Sequence, residues 1–228
     1  MIDLSIIATY KCNLSCWFCM YSAGPEHEKF LDLEKLKGFF KTINWNQINS
    51  IGFYGGEISY VIPRWQLYID LIPEKILRFC ITNGTWSTSK SLTNDFISFV
   101  CKNNLWTKIS STKEHKKYQD IKLLMQLEKT TKGLFHIKER DDTQYRLNPM
   151  GRLYKQNWNC TFKCKRHDEL MRLSDLDSGF SMKDKPYDRY AIEPDGNIIY
   201  QNCDGVYPIV SDITKPFSNL IKRCERLT

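Results

Sequence analysis

The stretch Tyr10-Lys-Cys12-Asn-Leu-Ser-Cys16-Trp-Phe-Cys19 decides how the rest of this chain is organised. Its three thiols fall within eight positions, directly behind a short apolar run at residues 4–8. Soft thiolate ligands select zinc, copper(I) or iron–sulfur clusters, so this spacing predicts a metal site. A four-iron cubane held by only three protein thiolates would keep one iron open for a further ligand, such as a substrate.

A second motif lies further along the chain. Residues 50–54 are predicted to form a buried strand, and they run directly into Gly55-Gly56-Glu57. The three-cysteine spacing, with Phe18 as an aromatic just before its last member, and the Gly-Gly-Glu motif together resemble the radical S-adenosylmethionine (radical SAM) superfamily. Three cysteines alone would also fit a partial zinc site, and the second motif is what favours the family.

The resemblance implies two cofactors. Cys12, Cys16 and Cys19 would ligate a [4Fe–4S] cluster with an open iron, and S-adenosylmethionine (SAM) would bind that iron. Glycines let a backbone approach a ligand closely, and the Glu57 carboxylate is expected to accept hydrogen bonds from the SAM ammonium. In the family, one-electron reduction of SAM gives a 5′-deoxyadenosyl radical that abstracts hydrogen from a substrate C–H bond. A one-electron donor such as flavodoxin or ferredoxin is the implied partner.

Predicted strands and helices alternate over the first 150 residues. Strands are expected at residues 4–8, 50–54, 77–81, 106–111 and 134–139. Helices are expected between them, at residues 32–43, 62–72, 92–101 and 118–127. Alternation at this spacing indicates βαβ units and a parallel sheet. The predicted fold class is α/β, a partial parallel (β/α) barrel of the radical SAM type with a small C-terminal β-hairpin subdomain.

Polar residues behind the later strands are further candidates for the SAM pocket. The family often carries Thr-Asn-Gly at the pocket rim, which points to Asn83, although Asn-Gly is also a good turn pair. A polar side chain behind the fourth strand often contacts SAM in the family, which points to Ser110 or Ser111; capping of a helix is the alternative. Weaker candidates at the fifth strand are Lys138, Glu139 and Arg140. The cofactor-binding residues predicted in all are Phe18, Gly55, Gly56, Glu57, Asn83 and Ser110, and no catalytic residue is assigned.

Beyond about residue 150 the alternation ends and cysteines return. Residues 189–201 are predicted to form two β-rich arms around the turn Pro194-Asp195-Gly196, a strong hairpin signal. This resembles the twitch subdomain, a shortened relative of the SPASM module that holds an auxiliary cluster behind some radical SAM cores. Residues 1–150 are therefore expected to form the core and residues 151–228 the twitch-like subdomain. The expected ligands of an auxiliary iron–sulfur cluster are Cys160, Cys164, Cys203 and Cys224, with a structural zinc site on these thiols as the alternative.

The composition fits a compact intracellular enzyme. The 228 residues are 42% hydrophobic and 13% aromatic, enough for one core of ordinary domain size. Nine cysteines, an odd number with three at metal spacing, favour a reducing compartment. No stretch reaches the ~20 apolar residues that span a membrane, and no secretory signal is evident, so a cytoplasmic protein without a membrane partner is expected.

Some chemically capable side chains are expected to have ordinary structural roles. Cys80, on a strand, and Cys101, on an apolar helix face, are expected to be buried. His115 and His167 lie among lysines and arginines, which predicts a solvated basic face. Contact with a phosphate backbone is the alternative for these stretches, and the net charge of +7 does not decide between the two.

Two function classes are compatible with the sequence. The first is a radical SAM enzyme that modifies a peptide or a nucleic acid base or side group, with oxidation or isomerisation of a small molecule as an alternative within that class. The second is a non-enzymatic zinc or iron–sulfur binding module. That second class gives no reason for the Gly-Gly-Glu motif, so the enzyme is the favoured interpretation.

Overall fold

The computed structural model of the chain describes residues 2–131, 133–139, 188–200 and 209–218. Its strands are β1 (Ile2–Ile7), β2 (Ile48–Tyr54), β3 (Leu77–Thr82), β4 (Trp106–Ser111), β5 (Phe135–Glu139), β6 (Asp188–Ile192), β7 (Asn197–Tyr200) and β8 (Ile209–Asp212). Its α-helices are α1 (Leu33–Phe40), α2 (Ile62–Ile69), α3 (Lys90–Lys102) and α4 (Ile121–Thr130). Strand and helix therefore alternate from β1 to β5, as the sequence predicts.

The strands form one sheet in the order β5-β4-β3-β2-β1-β6-β7-β8. Neighbours from β5 through β1 to β6 pair in parallel, and β7 and β8 are added antiparallel. A helix joins each of the five core strands to the next, which confirms the predicted α/β partial barrel. Because parallel strands end at the same edge of a sheet, the loops behind β1 to β6 meet there, and we call this the carboxyl edge.

The helices pack against one face of this sheet. Side chains alternate along each strand, so that Leu4 and Ile6 of β1 point to the helices and Ile7 points the other way. Burying one such aliphatic side chain stabilises the fold by ~1.5–3 kcal/mol. The helices contribute to this core the side chains of Phe39, Trp65, Phe96 and Leu124. The opposite face, which we call the inner face, carries the separate cluster of Ile7, Ala191 and Ile199 with Tyr10, Tyr21 and Tyr54.

Local capping determines where two of the helices begin. Asp32 caps α1 by accepting a hydrogen bond from Lys35 N at 3.0 Å, and Asp120 caps α4 by accepting from Leu123 N at 3.1 Å. The fourth helix therefore starts later than residue 118, where the sequence places it, and His115–Tyr118 forms a separate short 3-10 helix. None of the helices that the structure describes has the length and apolarity needed to cross a membrane.

The C-terminal hairpin continues the core sheet. β6 lies beside β1 in parallel, with Ile192 opposite Ile6, and β7 returns antiparallel to β6. Gly196 in the connecting turn has a φ of +91°, a conformation that favours glycine. The turn therefore lies at the carboxyl edge, next to the end of β1. The predicted boundary between residues 150 and 151 falls outside the described residues.

The two cysteines with a predicted structural role differ in their burial. Cys80 is buried on β3, where its Sγ lies 3.5 Å from Thr107 Oγ1, as predicted. The prediction that Cys101 is buried is wrong, because this thiol is exposed. Phe96 and Phe99 belong to the buried face of α3, and Cys101 lies near the end of that helix on the side facing solvent.

Candidate active site

The cysteine loop begins at the carboxyl edge, directly behind β1. Two backbone hydrogen bonds to Gly24 fix the start of this loop. Gly24 N donates to Tyr10 O at 3.0 Å, and Gly24 O accepts from Cys12 N at 3.0 Å. The chain returns past the end of β1, where Leu31 N donates to Ala8 O at 2.7 Å. The three thiols therefore lie, half-buried, on a loop whose two ends are held together at this edge.

The Gly-Gly-Glu motif is hydrogen-bonded to the backbone just in front of the first cysteine. Gly56 N donates to Thr9 O at 2.8 Å, and Glu57 N donates to Lys11 O at 3.0 Å. A Cβ on Gly56 would lie 1.8 Å from Lys11 O, and Gly55 has a φ of +112°. Only glycine suits both positions. The sequence suggests that these glycines let a ligand approach closely. In the structure, the group that lies close to them is the backbone leading into the cysteine loop.

The Glu57 carboxylate is buried, with an exposed fraction of 2%, and it accepts four hydrogen bonds. Ser59 donates from N at 3.1 Å and from Oγ at 2.6 Å, Thr82 Oγ1 donates at 2.5 Å, and Asn83 N donates at 2.7 Å. Burial raises the pKa of Glu57, and these donors oppose the rise. Through these hydrogen bonds the carboxylate connects the loop behind β2 to the end of β3. The sequence predicts that a SAM ammonium donates to this carboxylate. That ammonium would have to provide a fifth hydrogen bond to Glu57.

Asn83 connects this network to the cysteine loop. Its Nδ2 donates to Asn13 Oδ1 at 2.9 Å and lies 3.7 Å from Cys12 Sγ, while its Oδ1 accepts from Thr85 N at 3.1 Å. Gly84, the next residue, has a φ of +72°. The Asn-Gly pair therefore forms the turn and also places an amide against the first cysteine. Contact between Asn83 and SAM remains a prediction.

N–H groups point at the sulfur atoms of the loop. Leu14 N lies 3.4 Å from Cys12 Sγ, and Ala23 N lies 3.4 Å from Cys19 Sγ. Burial and then the charge of Glu57 raise the pKa of Cys12 to about 12, so that a bound metal would have to displace the thiol proton.

The thiols and the N–H groups directed at them suit an iron–sulfur cluster. In the described part of the chain, no three His, Cys, Asp or Glu side chains converge as the ligands of one metal ion do. A cubane does not require such convergence, because each thiolate binds a different iron. Nearby N–H groups stabilise cluster thiolates by hydrogen bonding to sulfur. The residues present therefore fit the cluster that the sequence predicts.

His115 lies against Cys16. Its Nε2 is 3.5 Å from Cys16 Sγ, and its ring packs edge-on against Phe18 with centroids 5.6 Å apart. The residue is 7% exposed. The predicted solvated basic face is therefore wrong for His115, because the short 3-10 helix turns this side chain inward and leaves Lys116 and Lys117 exposed.

The serines at the end of β4 do not cap a helix. Ser111 Oγ lies 3.3 Å from Gln119 Oε1, and Gln119 Nε2 donates to Ser110 O at 2.8 Å and to Asn83 O at 2.7 Å. The cap of α4 is Asp120, so the capping alternative is wrong for both serines. Ser110 is half-buried at the carboxyl edge, and its contact with SAM stays a prediction. Gln119, which the sequence does not single out, joins the ends of β3 and β4.

Aromatic rings cover the inner face beside this edge. Tyr54 and Phe79 meet edge to face with centroids 5.6 Å apart. Gly52 makes room for them, since a Cβ there would lie 2.6 Å from atoms of both rings. Lys138 of β5 is half-buried and pairs in register with Ser110, so this weak candidate also lies near the carboxyl edge.

A hydrogen bond connects the cysteine loop to the hairpin. Tyr10 OH donates to Glu193 Oε1 at 2.9 Å, and the Tyr10 ring stacks on Tyr21 with centroids 6.4 Å apart. Burial raises the pKa of both Tyr10 and Glu193. The hairpin turn therefore borders the site, a relation that the sequence does not reveal.

The proposed auxiliary ligands lie outside the described residues, as do two other candidates. These residues are Cys160, Cys164, Cys203, Cys224, Arg140 and His167.

Residues 6–100 match the sequence model of the radical SAM superfamily. No curated protein matches the chain. Among solved structures, the fold is similar to BtrN in complex with AdoMet (SAM) and 2-DOIA, with a TM-score of 0.60 and 13% identity over 96% of this chain and 80% of that one. It is also similar to anSMEcpe with bound AdoMet and Cp18Cys peptide, with a TM-score of 0.58 and 14% identity over 97% of this chain and 80% of that one.

The matched segment contains both motifs that the geometry joins, the cysteine loop and the Gly-Gly-Glu turn. Together with the partial barrel, this match shows that residues 6–100 are similar to the radical SAM superfamily. The superfamily implies a [4Fe–4S] cluster and SAM as its cofactors.

Proposed function

We propose that this chain holds a [4Fe–4S] cluster on Cys12, Cys16 and Cys19, binds SAM beside it, and cleaves SAM reductively to modify a substrate C–H bond. The observation that carries the proposal is the continuous network from the Glu57 carboxylate through Asn83 to Cys12, with Asn83 N 2.7 Å from Glu57 Oε2 and Asn83 Nδ2 3.7 Å from Cys12 Sγ. When bound, the cluster and SAM supply one-electron cleavage of a carbon–sulfur bond and hence the radical that takes the hydrogen atom.

The cysteine loop would hold the cluster and favour the ionised form of its ligands. The Leu14 and Ala23 amides and the Asn83 side chain direct N–H groups at Cys12 or Cys19, and hydrogen bonds to an ionised group are stronger than those between neutral groups. A donor of one electron, of the flavodoxin or ferredoxin class, would approach this loop.

Glu57 would act on SAM as a positioning residue. Its four donors leave the carboxylate engaged with Ser59, Thr82 and Asn83. The carboxylate would therefore hold Asn83 and the glycine turn at the place where SAM lies. Phe18 and Ser110 are proposed to contact SAM as well.

As substrate we propose a peptide or a nucleic acid base or side group. The similarity of fold to anSMEcpe, whose structure contains a peptide together with AdoMet, supports the peptide. The net charge of +7 would favour an acidic partner of either kind. The inner face beside the cysteine loop, with the half-buried rings of Tyr54 and Phe79, is the proposed place for the modified group. Similarity to BtrN with its 2-DOIA ligand keeps oxidation or isomerisation of a small molecule as the alternative.

We also propose a second metal site in a twitch-like subdomain at residues 151–228. Its ligands would be Cys160, Cys164, Cys203 and Cys224, and a segment of this length would gain order from a metal, as small domains commonly do. With two [4Fe–4S] clusters, the anaerobic protein should contain about eight irons, and replacement of the three N-terminal cysteines should leave about half of them. One zinc and no iron in that variant would indicate a structural zinc site instead.

The experiment that tests the proposed function is anaerobic reconstitution with iron and sulfide, followed by addition of dithionite and SAM. The parent should form 5′-deoxyadenosine, and the triple change of Cys12, Cys16 and Cys19 to alanine should abolish it. Cys101→Ala, which removes an exposed thiol far along α3, is the matched control and should behave as the parent. Undiminished product from the triple variant would contradict the proposal.

A further inference from the structure

We propose that His115 is a positioning residue that donates an Nε2–H···S hydrogen bond to the Cys16 thiolate and thereby raises the reduction potential of the cluster. The inference rests on the proposed function, since it takes Cys16 to be a cluster ligand. It concerns a residue that lies outside both sequence motifs, 99 positions from the cysteine that it contacts.

The partners of the imidazole determine which of its nitrogens carries the proton. Thr112 Oγ1 accepts a hydrogen bond from His115 N at 3.2 Å, so the hydroxyl hydrogen of Thr112 is available to Nδ1, also 3.2 Å away. In the proposed arrangement Nδ1 accepts that hydrogen, which places the proton of the neutral ring on Nε2. A metal-bound thiolate has no proton to give. A hydrogen bond across the 3.5 Å between Nε2 and Cys16 Sγ therefore requires donation by the histidine.

The ring is held in this orientation from several sides. His115 and Thr112 are both buried, with exposed fractions of 7% and 1%. Phe18, two residues from Cys16, packs edge-on against the imidazole. Lys116 N donates to Thr112 O at 3.0 Å, which closes the turn that carries the histidine. A donor fixed in a buried environment interacts more strongly with charge than one exposed to water.

The direction of the effect follows from where charge accumulates. Reduction adds one electron to the cluster, which makes its sulfur ligands stronger hydrogen-bond acceptors. The Nε2–H group therefore stabilises the reduced state more than the oxidised state, and the potential rises. Hydrogen bonds to sulfur are one of the means by which proteins set cluster potentials. Reduction by a flavodoxin- or ferredoxin-class donor would become easier.

Four variants separate the hydrogen bond from other effects. His115→Phe keeps a ring beside Phe18 but has no N–H, whereas His115→Gln places an amide N–H near the position of Nε2. Thr112→Val leaves the imidazole in place and removes the hydroxyl that fixes its tautomer. Lys117→Ala removes an exposed charge from the same 3-10 helix and is the matched control. For each protein, iron content and the midpoint potential of the EPR signal that responds to SAM are measured, which distinguishes this cluster from a C-terminal one.

We expect the midpoint potential of His115→Phe to be more negative than that of the parent, with Thr112→Val shifted in the same direction and His115→Gln and Lys117→Ala unchanged. A tenfold lower ratio of reduced to oxidised cluster at a fixed potential corresponds to about 59 mV for a one-electron couple. An unchanged potential in His115→Phe at full iron content would overturn the inference. Equal loss of iron in both His115 variants would also overturn it, because the residue would then serve to retain the cluster. A parent protein with no SAM-responsive signal would instead overturn the proposed function, and the inference with it.

Discussion

The buried carboxylate of Glu57 receives hydrogen bonds from two separate segments, Ser59 behind β2 and Thr82 with Asn83 at the end of β3. An ionised carboxylate without such donors would cost several kcal/mol to bury. The donors in turn would be left without an acceptor if the carboxylate were removed. The residue in the last position of the Gly-Gly-Glu motif is therefore expected to matter for folding of the site as well as for SAM.

Glu57→Ala should lower the free energy of unfolding by about 2–4 kcal/mol, because several buried donors lose their acceptor. It should also weaken SAM binding by roughly ten- to a hundredfold, because Asn83 and the glycine turn lose the carboxylate that holds them beside the proposed SAM site. Denaturant unfolding and equilibrium SAM binding, both under anaerobic conditions, measure the two effects.

The matched control is Glu28→Ala, which removes a carboxylate that is 73% exposed and pairs with Lys11 beside the same loop. Exposed ion pairs contribute about 0–1 kcal/mol, so this change should have little effect on stability. Loss of SAM affinity in Glu57→Ala with unchanged stability would show that the carboxylate is a direct SAM ligand and not a positioning residue.

At the scale of the elements, the site depends on the short segment that continues β1 toward the first cysteine. Its backbone carbonyls, Thr9 O and Lys11 O, accept hydrogen bonds from the Gly-Gly-Glu turn. The Tyr10 side chain, between them in sequence, donates a hydrogen bond to the hairpin. Three parts of the chain, the loops behind β1 and β2 and the β6–β7 turn, are thus joined at one place. Substitutions in this segment should therefore alter both the metal site and the hairpin.

Gly56→Ala should displace the backbone at Lys11, because the added Cβ would lie 1.8 Å from that carbonyl oxygen. We expect a loss of about 1–3 kcal/mol in the free energy of unfolding and poorer retention of iron after reconstitution. Gly38→Ala is the control: nothing lies within 4 Å of a Cβ there, and the residue is in the middle of α1. That change should stabilise the protein by roughly 0.5–1 kcal/mol. Equal stability of the two variants would refute the close-packing argument.

Tyr10→Phe should weaken the link between the cysteine loop and the hairpin, and its effect should depend on pH. Burial raises the pKa of Glu193, so the stability contributed by the neutral carboxyl is present below its ordinary pKa and is lost as pH rises through the folded value. The tyrosine hydroxyl offsets part of that loss by donating to the ionised form. The variant should therefore be about 1–2 kcal/mol less stable than the parent near pH 7 and less affected near pH 4. Denaturant unfolding at the two pH values tests this, and a larger deficit at pH 4 would contradict it.

At the scale of the whole molecule, the fold is more readable from sequence than the site. Apolar periodicity predicts the alternating strands and helices because each element buries one face against a single core. The hydrogen-bond partners of Glu57 could not be predicted from the sequence, since hydrogen bonds between loops depend on which strands become neighbours. His115 is misassigned because its neighbours in sequence are lysines, whereas its neighbours in space are Cys16 and Phe18. The requirement for glycine at position 52 could not be predicted from the sequence either, because it follows from the packing of Tyr54 on Phe79.

The central claim is that the Cys12, Cys16 and Cys19 cluster and SAM meet at the carboxyl edge of the sheet. Electron–nuclear double resonance of the reduced protein, with SAM labelled by ¹⁵N at its amine and by ¹⁷O at its carboxylate, measures this contact directly. We predict couplings from both labels in the parent and in Cys101→Ala, and none in the triple alanine variant. A reduced cluster that shows no coupling to bound, labelled SAM would contradict the account.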